Sequence, residues 1–260
     1  MKLKTITVSE AGEGVRLVTL SRPDAANALN TAMGEELLSL WKAMAKDPKV
    51  RVAVLTGAGR FFCAGADLKE RDGMTDAAWG EQHVMFESMI RAQLSCPFPI
   101  IAAVNGAAMG GGCEMALACD FAWGSNTARL GLPEVGLGII PGLGGTQYIV
   151  RAAGARRASE LLMSGLPIDA AQALDFGLLN RVVPADELMP QVLERARVIA
   201  SKAPLSVKAL KAVVQGGAAL PLDKAMALEL VQYNRLFKTK DRREGVAAFN
   251  QKRTAVFRGE

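Results

Sequence analysis

The chain has 260 residues, half of them hydrophobic, 22% charged and 5% aromatic, which suffices for a large packed core and excludes a disordered or low-complexity chain. The formal net charge is +5, and residues 235–260, with eight Lys and Arg against three Asp and Glu, account for the whole surplus. Four cysteines (Cys63, Cys96, Cys113, Cys119) at spacings of 33, 17 and 6 match neither paired zinc-ligand spacing nor a small disulfide scaffold, and a single histidine, His83, excludes a histidine-rich metal centre.

In chain order, residues 15–20 (Val-Arg-Leu-Val-Thr-Leu) are rich in strand formers. Asn30-Thr31 caps a predicted helix running to about Lys46, with Met33, Leu37, Leu38, Trp41 and Met44 at helical spacing, and Asp47-Pro48 ends it. Val52–Thr56 reads as a buried strand broken by Gly57-Ala58-Gly59. A small-residue loop over Cys63–Asp67 precedes a helix over 76–94, which Cys96-Pro97-Phe98-Pro99 stops. Ile100–Val104 is a second buried strand, Glu114–Cys119 a short helical run and Phe121–Gly124 a third strand. Strands alternating with helices predict an α/β arrangement with parallel pairing. After about Val183 the pattern turns helical over 185–200, 204–215, 221–237 and 241–252. The expected division is therefore an α/β core over residues 1–182 and a helical region over 183–260.

Two loops stand out chemically. Cys63-Ala64-Gly65-Ala66-Asp67 is a small-residue turn, and Gly110-Gly111-Gly112-Cys113-Glu114 is a glycine run opening a helix. Glycine lets a backbone approach a ligand closely, and free N–H groups at a helix start favour negative charge. One donor from each loop could hold a developing oxyanion. Neither loop has the GxxxxGK[ST] or GxGxxG pattern of a nucleotide site, and close packing at a turn is the plainer alternative. Two carboxylates lie in apolar runs: Glu114 beside Met115-Ala116-Leu117, and Glu134 in Leu132-Pro133-Glu134-Val135. Burial raises a carboxyl pKa towards neutrality, which suits general acid/base work. Spacing alone does not bring the two together. The cysteines, in apolar or glycine-rich company, read as buried free thiols, and His83 reads as a helix-surface residue.

Three stretches then resemble one family: Phe61 to Lys69, Ala102 to Glu114, and Pro133 to Gln147, in the order expected of the enoyl-CoA hydratase/isomerase (crotonase) superfamily. The likeness extends from about Ile6 to Gly259. It implies a crotonase-like spiral of ββα units with a helical C-terminal trimerisation region, an acyl-CoA substrate, and a homo-oligomer, trimer or hexamer. It implies an oxyanion hole at the backbone N–H groups of Ala66 and Gly111, with Ala64, Ala66, Asp67, Leu68, Lys69 and Gly111 contacting CoA or substrate. It implies catalytic roles for Glu114 and Glu134 and no metal or redox cofactor, coenzyme A being part of the substrate. Relatives that isomerise, hydrolyse or decarboxylate often lack one or both glutamates; retention of both, twenty residues apart, favours an enoyl-CoA hydratase over an isomerase or another lyase.

Further expectations follow from that likeness. The 71–89 region should shape the acyl pocket, with Met74, Trp79, Met85 and Phe86 as candidate lining and core packing as the alternative. Ala107 stands where a larger residue is frequent, and could widen the pocket. Lys252 in the basic end is a candidate CoA contact in a neighbouring subunit. An RNA-binding member is the rival of a different class, but Lys42, Lys46 and Lys49 form a thin basic patch without interleaved aromatics, so nucleic acid is not an expected partner. With no run approaching ~18 apolar residues and no apolar signal segment near the start, a cytoplasmic location is expected, or an organelle matrix after removal of a transit peptide.

Overall fold

The computed structural model describes residues 3–260. Its frame follows from paired strands that separate onto two sheets. β1 (Ile6–Gly12) and β2 (Val15–Leu20) form an antiparallel hairpin, and β2 pairs in parallel with β3 (Val52–Gly57). From there the chain alternates. β3, β5 (Ile100–Val104) and β7 (Phe121–Ser125) join the larger sheet, while β4 (Phe61–Cys63), β6 (Ala107–Met109) and β8 (Arg129–Gly131) join the smaller. All of these neighbours pair in parallel. Each ββ step therefore drops one strand on each sheet, and a helical connection returns the chain to start the next turn of a spiral. β9 (Ile168–Asp169) closes the small sheet on β8, and β10 (Arg181–Val183) closes the large sheet on β7.

The helices are α1 (Thr31–Met44), α2 (Leu68–Arg71), α3 (Asp76–Leu94), α4 (Gly111–Leu117), α5 (Gly145–Ser164), α6 (Ala170–Asp175), α7 (Leu188–Ala200), α8 (Pro204–Gly217), α9 (Leu222–Leu236) and α10 (Lys240–Asn250). Local chemistry sets several starts. The Asn30 side chain accepts from Met33 N at 3.0 Å, and Thr75 Oγ1 from Ala78 N at 3.2 Å, each satisfying an otherwise orphaned helix N–H. α4 starts at Gly111, ahead of the stretch expected from Glu114, because the glycines themselves take helical geometry.

Every residue of β3 and β5 is buried, as continuous apolar runs in a parallel sheet require. Ala53, Leu55, Ala102 and Val104 face one core with Met33, Leu37, Trp41 and Phe86 from α1 and α3. Val52, Val54, Ile101 and Ala103 face the other, covered by Leu188, Val192 and Ala196 of α7. The division at 182/183 falls inside β10, and α7 lies on the sheet. All four cysteines are buried free thiols. Among the described residues, no helix is long and apolar enough to cross a membrane.

Candidate active site

The spiral places β4 beside β6, so the loops that leave them lie side by side at one end of the small sheet. These are the Cys63–Asp67 and Gly110-Gly111 loops. A Cβ added at Gly65 would stand 2.9 Å from Met109 O and 3.7 Å from Gly110 Cα. Gly65 (φ +98°) and Gly110 (φ +49°) both occupy backbone regions that side chains disfavour. The Leu29 strand-like bridge pins the first loop: Leu29 N donates to Gly65 O at 2.8 Å and Asp67 N to Leu29 O at 2.9 Å. Ala66 N–H, between them, has no protein acceptor among the described residues, and neither has Gly111 N–H at the first turn of α4. Two unpaired donors on adjoining loops thus border one cavity of about 740 Å³.

Glu114 and Glu134 line that same cavity. The fold closes the separation that spacing alone leaves open: α4 carries Glu114 to the cavity and the 3₁₀ turn Glu134–Leu137 carries Glu134. Both are buried, Glu114 2% and Glu134 8% exposed. Their anchoring differs. Glu114 Oε1 accepts Leu143 N at 2.7 Å and Gly145 N at 2.8 Å. Glu134 Oε2 is buried without a hydrogen-bond partner. Its other oxygen would stand 3.1 Å from a Cβ on Gly110, so the carboxylate lies against the glycine loop.

Burial pushes the Glu114 carboxyl up to about 7, against two N–H donors that favour its charged form and helped by the negative charge of Glu134. Burial raises Glu134 as well. Burial thus works against the charged form of both carboxyls, and the charge of Glu134 adds to that effect at Glu114.

The residues singled out in the sequence divide by position. Ala64, Ala66, Leu68 and Gly111 line the cavity. Asp67 instead caps α2, accepting Lys69 N at 3.1 Å and Glu70 N at 3.3 Å, and pairs with Arg22 at 2.8 Å. Lys69 is exposed beside it and outside the cavity lining. Of the four residues expected to shape the pocket, Trp79 and Phe86 line it, and Met74 and Met85 do not. Trp79, His83 and Phe86 share one face of α3, whereas Met85 turns towards α1, where its Cε would lie 2.7 Å from a Cβ on Gly34. His83, expected on a helix surface, forms part of the cavity wall, with Nε2 3.5 Å from Glu87. Ala107 sits in β6, paired with Phe61 and Arg129, and does not widen the cavity. Much of the basic end is tied down locally: Arg253 pairs with Glu244 at 2.6 Å and Lys240 with Glu260 at 2.6 Å.

Some contributors have no clear sequence signal. The Leu143 and Gly145 donors act through backbone, and only the Gly144-Gly145 pair hints at a close approach. The Leu137–Leu143 segment also reaches the cavity, as does Arg71, the first residue of the 71–89 region expected to shape it.

A two-sheet spiral brings two buried carboxylates and two free amides to one cavity, the arrangement of a candidate site rather than of a packed turn. A family model for enoyl-CoA hydratase/isomerase matches residues 10–260. The chain is 42% identical to a 2,3-dehydroadipyl-CoA hydratase of Escherichia coli over 94% of this chain and 95% of that one. It is 39% identical to a crotonyl-CoA hydratase of Syntrophomonas wolfei over 96% of each. A crystal structure of an enoyl-CoA hydratase from Bacillus anthracis, 41% identical, superposes with a TM-score of 0.97 over 99% of this chain and 100% of that chain. The chain belongs to the enoyl-CoA hydratase/isomerase family.

Proposed function

We propose that the protein adds water reversibly across the 2,3 double bond of an enoyl-CoA thioester. The observation that carries this reading is the asymmetric pair of buried glutamates in one cavity with two unpaired backbone donors. The thioester oxygen accepts from Ala66 N–H and Gly111 N–H, a contact that strengthens as negative charge moves onto it; each such donor contributes about 10²–10³ in rate. Glu114, held as an acceptor by Leu143 and Gly145, takes a proton from water as the water oxygen bonds to Cβ. The displaced electron pair passes to Cα and the carbonyl oxygen. Protonated Glu134, with no protein partner for Oε2, delivers its proton to Cα. The glutamates finish with exchanged protonation states, which solvent resets. The chemistry is redox-neutral and calls on no metal or redox cofactor. Ala64, from the cavity wall, and Lys69, at the rim helix, form the CoA-facing side, Leu68 faces the acyl chain, and Asp67 braces the loop between them.

Self-association accompanies this reading. α8–α10 expose Leu210, Val214, Leu222, Met226, Leu230 and Phe249, a set of large apolar side chains on three successive helices. A trimer, or a hexamer of two trimers, would cover it.

The test is conversion of crotonyl-CoA, followed by loss of the conjugated thioester's ultraviolet absorbance and by product mass. A product heavier by one water supports hydration. Binding of the ester without such a product, or a double-bond shift without mass gain, rejects it.

A further inference from the structure

The α2–α3 wall of the cavity carries a cation that the hydration chemistry does not use. Arg71, the last residue of α2, lines the cavity. Its Nε donates to Gln82 Oε1 at 2.8 Å. The guanidinium lies over the Trp79 ring at 4.1 Å and near Phe86 at 5.7 Å. Its sequence neighbour Glu70 contributes a negative charge nearby but forms no ion pair with it: Glu70 Oε2 accepts Gln82 Nε2 at 2.9 Å and Thr31 N at 2.8 Å. Gln82, itself buried, also donates to Thr31 Oγ1 at 2.8 Å. Among the described residues Arg71 has no carboxylate within 4.0 Å. Its two terminal nitrogens have no protein acceptor and are not sealed from solvent.

The network thus holds a planar cation in place, one face against an aromatic ring, with its two-pronged end unused. The surrounding wall is apolar: Leu68, Trp79, Phe86, Leu137, Ile139 and Ile140. An alkyl chain packed there would strip water from the terminal N–H groups and replace nothing. A carboxylate would restore those bonds as a bidentate pair, the geometry for which guanidinium is suited.

We propose that Arg71 is a specificity residue that selects acyl-CoA thioesters carrying a carboxylate at the far end of the acyl chain. This rests on the cavity being the acyl-CoA site. The CoA phosphates are the other anions of the same ligand, but they need no aromatic-walled cavity, and exposed Lys69 stands outside it.

Equilibrium binding of unreactive saturated esters separates these cases without requiring turnover. The probes are glutaryl-CoA and adipyl-CoA, each against the chain-matched pentanoyl-CoA and hexanoyl-CoA, with the wild-type assembly, Arg71→Met and Arg71→Lys. At one or both lengths the wild type should bind the carboxylate-ended ester at least about tenfold more tightly. Arg71→Met should abolish that preference while leaving the affinity for the alkyl ester unchanged or improved, which also reports that the variant is folded. Arg71→Lys should retain part of the preference. No preference at either length in the wild type overturns the proposal whatever the variants do. Equal weakening of both series by Arg71→Met also overturns it, because the cation would then be serving the CoA moiety. Because the probes are unreactive, this binding comparison is decided independently of whether the protein hydrates crotonyl-CoA.

Discussion

Glu114 and Glu134 line one cavity with unequal support. Glu114 Oε1 is fixed by two main-chain amides at 2.7 and 2.8 Å, whereas Glu134 Oε2 is buried and unbonded. The first arrangement steadies a proton acceptor and the second leaves an oxygen free to present a proton. Two chemically identical side chains are thereby suited to opposite tasks by what surrounds them.

The raised Glu114 carboxyl makes activity and stability depend on pH in opposite directions. As base, Glu114 must be ionised, so the acidic limb of the hydration rate should rise towards about 7, while loss of the raised Glu134 proton lowers the rate on the basic side. For stability, the folded value of about 7 exceeds the ordinary 4.5, so the folded state binds more protons between them. That contribution is favourable to folding only at low pH, and is lost as pH rises through about 7. Glu114→Gln should therefore be more stable than wild type near pH 8, by roughly 1–3 kcal/mol, and no more stable near pH 4. Thermal melts of both proteins across that range check it, and equal melting shifts at the two ends would contradict it.

Gly145 is a positioning residue for Glu114. A Cβ there would lie 2.7 Å from Leu132 Cδ1, 2.9 Å from Glu114 Cγ and 3.0 Å from its Oε1. Gly145→Ala must displace the carboxylate from the amides that hold it. Since misplacement by about 1 Å can cost on the order of 10²-fold, kcat should fall about 10- to 100-fold with KM nearly unchanged. A variant that raised KM alone would place the effect on substrate binding.

Asp67 works as a brace for the Ala64–Ala66 loop rather than as a cavity residue. It caps α2 and receives Arg22 Nη2 at 2.8 Å. Burial alone would raise its carboxyl, but the Arg22 hydrogen bond and charge, with the Lys69 and Glu70 amides, hold it below the usual value. Because the folded value is depressed, the pair's contribution is present above the ordinary aspartate value and is lost as pH falls through the folded one. Arg22→Met should cost about 1 kcal/mol at neutral pH, less near pH 3, and should lower kcat by loosening the loop that aims Ala66 N–H. Denaturant melts at the two pH values and steady-state kinetics read both effects.

The apolar surface of α8–α10 leads to a prediction about assembly. Replacing Leu222, Met226 and Leu230, all exposed on α9, with glutamate should shift the protein towards monomer in light scattering. Unchanged mass would show that another surface holds the oligomer, or that none forms.

The legible parts of the molecule are those written in long periodic or fully apolar runs. β2, β3, β5 and β7 and helices α1, α3 and α7–α10 are of this kind, because burial on one or both faces imposes a regular pattern. The small sheet does not announce itself as strands. β4, β6 and β8 have three residues each, too few for alternation to register, and tertiary pairing alone makes them strands. α5 is hidden because Gly144-Gly145 opens it and Gly154, at φ +79° and ψ +162°, breaks its helical path. At the site, Glu114 and Glu134 are conspicuous as carboxylates in apolar runs, and family resemblance supplies Ala66 and Gly111. The amides of Leu143 and Gly145 are silent, since any residue but proline can donate from its backbone. Arg71 opens the 71–89 region expected at the pocket, but its fixed orientation appears only when the fold places Trp79, Gln82 and Phe86 around it.

Division of the work between the two carboxylates is tested most directly by crotonyl-CoA hydration with Glu114→Gln, Glu134→Gln and the double variant, each with CoA-ester affinity confirmed. Each single substitution should lower kcat by about 10²–10⁴-fold, and the double variant should be little worse than the poorer single one, as expected of groups acting as one unit. Retention of most activity by either single variant would contradict that division and point to one glutamate moving the proton unaided.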